Sequence, residues 1–261
     1  MDDRAEIVKR PLATTYTQNG IHTWHPDTKI FDLLIHSAAG GGASGLSHTV
    51  AGSRIPGAGG GGGAVLILTE RRRLGLPDSV EVIVGVGGVG GAQPSAANGS
   101  FNPGGDGGET RFGDIAVIAG GTGGASRGDP REGGAGSATM GSRGGTGGAN
   151  GAAGESVNAS PIQHLSGGGG GGSGNAAGGA SGWNNPSTGL GSPGRDAAAV
   201  SVWGFHVATG SGGSGGTSTS PTGKAGGFPS GGGGGGYPSA IGAPGGSGAN
   251  GQITIIEYLE E

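Results

Sequence analysis

Apolar residues in this chain fall into short runs, and long reaches with almost no side chains separate the runs. Residues 28–36 (T-K-I-F-D-L-L-I-H) are rich in β-branched and aromatic types, which favours a strand. Residues 57–63 are nearly all glycine and lead directly into 64–70, a second apolar strand. Residues 79–86 carry Val80, Val82, Val84 and Val86 at period two, the mark of a half-buried third strand. Residues 113–119, 200–208 and 252–259 supply the fourth, fifth and sixth strands. No segment longer than about ten residues has a helical apolar period, and glycine opposes helix throughout. The pattern predicts an all-β chain.

Between the strands the residues are mainly Gly, Ala, Ser and Asn. Several reaches place glycine at every third position: Gly85, Gly88 and Gly91; Gly141, Gly144 and Gly147; Gly210, Gly213 and Gly216; Gly242, Gly245, Gly248 and Gly251. Three residues per turn is the period of the left-handed polyproline-II helix. One side of each turn is then bare, so neighbouring helices can approach closely. The period slips after three or four triplets, which excludes a long collagen rod. Short, parallel, packed tracks of about 6–12 residues are expected, each roughly 20–35 Å long; irregular glycine loops are the alternative. The fold class predicted is a small β-sandwich-like frame with glycine-rich loops forming packed polyglycine-II tracks.

Composition sharpens this. Glycine supplies 72 of 261 residues and proline 14, a level that without a long period points to low complexity. Clustered apolar runs oppose disorder. Ordering a backbone costs roughly 1–2 kcal/mol per residue, and glycine sits at the expensive end. A backbone hydrogen bond returns about 0.5–1.5 kcal/mol. Such tracks only just balance, so a β frame, a second subunit or both should hold them. Within residues 1–26 Gly20 is the only glycine, and the stretch is read either as an N-terminal arm, separate from a domain at 27–261, or as part of the same sheet.

The formal charge of −4 argues against a general nucleic-acid binder, and cysteine is absent. The first ten residues are charged and lack an apolar h-region, so a signal peptide is not expected. No apolar run is long enough to span a membrane. Gly-x-Gly-x-x-Gly recurs by composition alone, without a following helix signal, and residues 222–225 (T-G-K-A) fail as a P-loop. Residues 104–109 (G-G-D-G-G-E) faintly suggest a calcium turn but are not repeated. His22 and His25 would meet only on a symmetry axis, and polar surface is the plainer reading. No catalytic set, cofactor site or metal site is predicted. Trp183, Asn184, Asn185 and Tyr237 lie in loops suited to sugar or protein recognition, or to plugging gaps between tracks. Trp24 and the run Arg71, Arg72, Arg73 are candidate subunit contacts.

The order of motifs resembles a known family. Thr23-Trp24 with Pro26, then Gly59 to Gly63, then Leu76-Pro77 with Val80 to Gly88, are followed by Thr110 to Gly113 and the closing Gly251 to Tyr258. This set is similar to the glycine-rich domain of bacteriophage tail fibre and minor tail proteins, especially in phages of actinobacteria. The resemblance implies a non-enzymatic virion protein at the tail tip or fibre. It would be made in the host cytoplasm, contact other tail proteins and form a symmetric oligomer, a trimer first. It also implies possible contact with a host cell-envelope receptor. An adhesin binding envelope glycan and a glycine-rich cell-wall structural protein are the alternatives.

Overall fold

The computed structural model describes residues 10–95, 98–125, 132–137, 146–156, 172–173, 176–179, 192–196, 201–202, 205–206 and 209–259. Its strands are β1 (Arg10–Tyr16), β2 (Gly20–Thr23), β3 (Thr28–His36), β4 (Val65–Arg72), β5 (Ser79–Ile83), β6 (Thr110–Phe112), β7 (Ala116–Ile118), β8 (Ser201–Val202), β9 (Phe205–His206) and β10 (Gln252–Leu259). One antiparallel sheet has the order β1-β10-β3-β4 and a second the order β2-β5-β6-β7, while β8 and β9 pair by themselves. Among the described residues the only helical element is a single 3-10 turn at Ala51–Ser53.

Alternation on the strands builds the core. Phe31, Leu33 and Ile35 of β3 and Ile253 and Ile255 of β10 face Val80 and Val82 of β5 and Phe112 of β6, all buried between the sheets. Leu34, Val65 and Ile256 point the other way and form a smaller buried cluster on the far side of the first sheet. Residues 10–26 are not a detached arm, because β1 adds an edge to one sheet and β2 an edge to the other.

Three strand expectations change. Residues 113–119 are not one strand: β6 turns at Gly113 (φ +49°) and returns as β7. Residues 200–208 likewise contain the two short paired strands β8 and β9. The valine alternation stops at Val84, and Val86 is 69% exposed because the chain has already entered a glycine track.

The tracks form an ordered lattice. A helix with no internal hydrogen bonds must send every N–H and C=O outward, in three directions. Residues 37–47 do this. Ala39, Gly42 and Gly45 donate to Ala249, Gly246 and Ala243; Gly40, Ala43 and Leu46 donate to Gly61, Ala58 and Ile55; Gly41 and Ser44 donate to Gly105 and Asn102. The acceptor numbers fall as the donor numbers rise, so these three neighbours run antiparallel. Three others run parallel and donate inward: Gly88 and Gly91 to Ala39 and Gly42, Gly121 and Gly124 to Ala38 and Gly41, and Gly233 and Gly236 to Gly40 and Ala43.

These six tracks also bond to one another around the ring, 85–92 to 243–251, to 231–236, to 55–63, to 119–125, to 102–109 and back. Residues 37–47 are therefore the axis of a hexagonal bundle. The expected parallel packing is corrected to alternating directions, since donors and acceptors point outward along the helix whichever way a neighbour runs. On the 85–92 track Gly85, Gly88 and Gly91 are buried, while Val86 and Val89 project outward at 69% and 72% exposure. Glycine is thus required by closeness. A Cβ on Gly42 would lie 2.1 Å from the Gly234 oxygen, and one on Gly61 2.0 Å from the Ala135 oxygen.

Candidate functional site

The strand directions give the molecule two unlike ends. β3 leaves the sandwich at His36 and becomes the axial track, and β4 and β10 enter at Val65 and Gln252 from tracks. At the opposite end Arg10, Thr28, Leu259, Ile30 and Arg72 lie in neighbouring registers. We call this end the base and the far end of the lattice the tip.

The sandwich near the base carries a buried polar cluster. Glu257 on β10 is 2% exposed, and its Oε2 accepts from the His25 N–H at 2.8 Å and the Thr28 hydroxyl at 2.5 Å. Its Oε1 lies 3.4 Å from Nε2 of His22 on β2, also 2% exposed, so the pair bridges the two sheets. The Tyr16 hydroxyl is 3.2 Å from His22 Nδ1, and the ring meets Trp24 edge-on at 4.6 Å. Burial pushes the His22 ring below its ordinary value, with the Glu257 charge opposing. Burial and then the Glu257 charge raise the Tyr16 hydroxyl. His22 is therefore core, not surface, and reaches no axis. A buried carboxylate with several donors is held in place for architecture.

A second carboxylate organises the sheet edge. Register slips between Phe31 and Leu33, where β4 places Thr69 and Glu70 opposite Asp32. Glu70 takes φ +52°, and its N–H is captured by Asp32 Oδ1 at 2.6 Å. The other oxygen of Asp32 accepts from the Tyr258 hydroxyl at 2.7 Å. Burial, that hydrogen bond and the charges of Asp32 and Glu70 push Tyr258 up to about 12.

Of the residues singled out from the sequence, Trp24 is a correction. It is 4% exposed and packs on Phe31 and Phe112, so its area is used inside the sandwich and is not free for a subunit. Arg71 and Arg72 are exposed at the end of β4, and Arg73 pairs with Asp78 at 2.8 Å. Tyr237 is half-buried at the tip, where its N–H donates to the Pro221 carbonyl and its own carbonyl accepts from Ala243. Trp183, Asn184 and Asn185 lie outside the described residues. Residues 104–109 are a lattice track whose Asp106 accepts from the Gly123 N–H. Sequence reading missed Glu257 and Asp32, since single acids inside apolar strands announce no partner.

The loops gathered at the tip are 48–54, 98–100, 217–221 and 237–242. Ser47 donates to the Ser100 carbonyl, His48 to that of Ser239, and the Thr49 hydroxyl to Asn98 at 2.8 Å. Val50 and Ile241 are exposed there. The buried serines of the lattice turn inward: Ser230 and Ser173 donate to the carbonyls of Ser37 and Gly57. Among the described residues no group of three His, Cys, Asp or Glu side chains is placed to hold a metal, and no helix is long and apolar enough to cross a membrane.

The sequence profile of the glycine-rich domain matches residues 15–258, which takes in both sheets and the whole ring of tracks. The chain belongs to the glycine-rich domain family. Within this glycine-rich domain protein the match begins inside β1 and ends inside β10, two strands that pair antiparallel with each other. No curated protein matches the chain.

Proposed function

We propose that this glycine-rich domain protein is a structural component of a bacteriophage tail, at the tip or in a fibre, working in tail assembly and in contact with the host surface. One observation carries the reading: a rigid lattice, bonded in every direction, stands on a sandwich and separates a base from a tip. Such a body transmits position over the roughly 30 Å that a ten-residue polyproline-II track spans. The motif order around Trp24, Leu76-Pro77 and the closing Gly251 to Tyr258 supports the tail assignment by resemblance. On this reading the protein is non-enzymatic, binds no cofactor, contacts other tail proteins and forms a symmetric oligomer, a trimer first. Mass spectrometry of purified virions tests it: the protein should be present at a fixed ratio to the major tail protein, and absence would overturn the proposal.

A second reading is favoured by the gathering of loops at the tip. Tyr237 stands there, and the protein would be a receptor-binding adhesin for envelope glycan, with Trp183, Asn184 and Asn185 as the other candidate contacts from the sequence. Loops on a rigid scaffold suit recognition. Purified protein would then label host cells and block infection, and Tyr237→Ala would weaken both. Unchanged labelling by Tyr237→Ala and Trp183→Ala returns the role to scaffolding alone.

A further inference from the structure

At the base the structure holds an open groove of about 380 Å³ between the start of β3 and the end of β4. Lys29, Arg72 and Arg73 line it, together with Ile30 and Leu74, and no acid does. This concentration of cations stands in a chain whose net charge is −4. Asp78 answers Arg73 at 2.8 Å, but Asp78 is 97% exposed, so solvent screens and weakens the pair. Arg73 Nε is buried and has no hydrogen-bond partner among the described residues. The exposed Arg72 guanidinium, planar and rich in donors, suits a carboxylate. Leu74 is 91% exposed beside it, lifted there by the turn at Gly75, whose φ is +86°.

We propose that this groove binds an acidic, extended peptide segment of a partner protein. Carboxylates would meet the Arg72 and Lys29 charges, and an apolar side chain would cover Ile30 and Leu74. Two apolar walls and the small size of the basic patch favour a peptide over a nucleic-acid phosphate backbone, which needs a broad basic face. The inference stands whether or not the protein belongs to a tail, since it concerns one groove on the isolated chain.

The test is fluorescence anisotropy with a fluorescein-labelled hexapeptide of sequence L-E-E-L-E-E and the full-length protein. Saturable binding is expected, weakening about tenfold or more between 50 and 300 mM NaCl as screening rises. Lys29→Glu/Arg72→Glu should abolish it, and Leu74→Ser should weaken it at least threefold. All three positions are exposed, and circular dichroism checks that the variants stay folded. No binding at millimolar protein overturns the proposal. So does binding that Leu74→Ser leaves intact and a twelve-residue oligothymidylate displaces equally well, which would make the groove a plain anion site. Concentration-dependent self-association lost in Lys29→Glu/Arg72→Glu would assign the groove to a second copy instead, and also overturns it.

Discussion

Gly42 lies on the axial track, against the carbonyl of Gly234. Its φ lies outside the left-handed region, so alanine meets no dihedral objection there. Replacing glycine by alanine at a compatible site stabilises by about 0.4–1 kcal/mol through the unfolded chain. Packing opposes this. The added Cβ would sit 2.1 Å from the Gly234 oxygen, 2.4 Å from its carbon and 2.8 Å from the Gly235 nitrogen, against 3.4 Å for ordinary contact. The 231–236 track cannot retreat freely, because Gly57 and Gly60 bond to it from one side and Gly213 and Gly216 from another. Moving it breaks Gly233 to Gly40 (2.9 Å) and Gly236 to Ala43 (2.8 Å). Two bonds whose buried partners are stranded cost about 1–3 kcal/mol each. The contact term wins, and Gly42→Ala should destabilise by roughly 2–5 kcal/mol. At about 2–4 °C per kcal/mol, Tm falls by about 10 °C. Differential scanning calorimetry reads this directly, with Gly52→Ala as the control, since a Cβ there meets nothing within 4 Å. A Gly42→Ala variant melting within about 2 °C of the wild type would refute close packing of the axial track.

Because the folded His22 pKa is depressed, the unfolded chain binds a proton at the ordinary 6.5 that the folded chain refuses. Stability should therefore be full above 6.5 and fall as the pH drops below it, and His22→Gln should flatten that part of a denaturant-midpoint profile against pH. Glu257→Ala strands the His25 N–H and the Thr28 hydroxyl inside the sandwich, and urea unfolding should show a loss of about 3 kcal/mol. Tyr258 should titrate near about 12 in an ultraviolet absorbance titration, and Tyr258→Phe should remove that step. Gly61→Val drives a branched side chain into the Ala135 carbonyl and should yield insoluble protein in an expression trial, whereas a soluble variant would mean that the 57–63 track packs loosely there.

Much of this fold is legible in the order of residues. Strand β3 at Thr28–His36 and strand β10 at Gln252–Leu259 match the apolar runs that predict them, because such residues gain only by facing a core. The triplets Gly85, Gly88, Gly91 name in advance the side of the track that turns inward, because only a bare position admits a carbonyl at such short range. Partnership is not legible. His22 and Glu257 come from opposite ends of the chain, and a strand pattern gives no hint that they meet. Trp24 reads equally well as surface or core until Phe31 and Phe112 close over it. The alternation of track directions, the ring around residues 37–47 and the gathering of loops at one end depend on which strand each track leaves or enters. Sequence by itself determines the local period and therefore the conformation of each piece. Tertiary structure alone decides the neighbours, because a helix without internal hydrogen bonds has no stability or direction until six others supply its bonds.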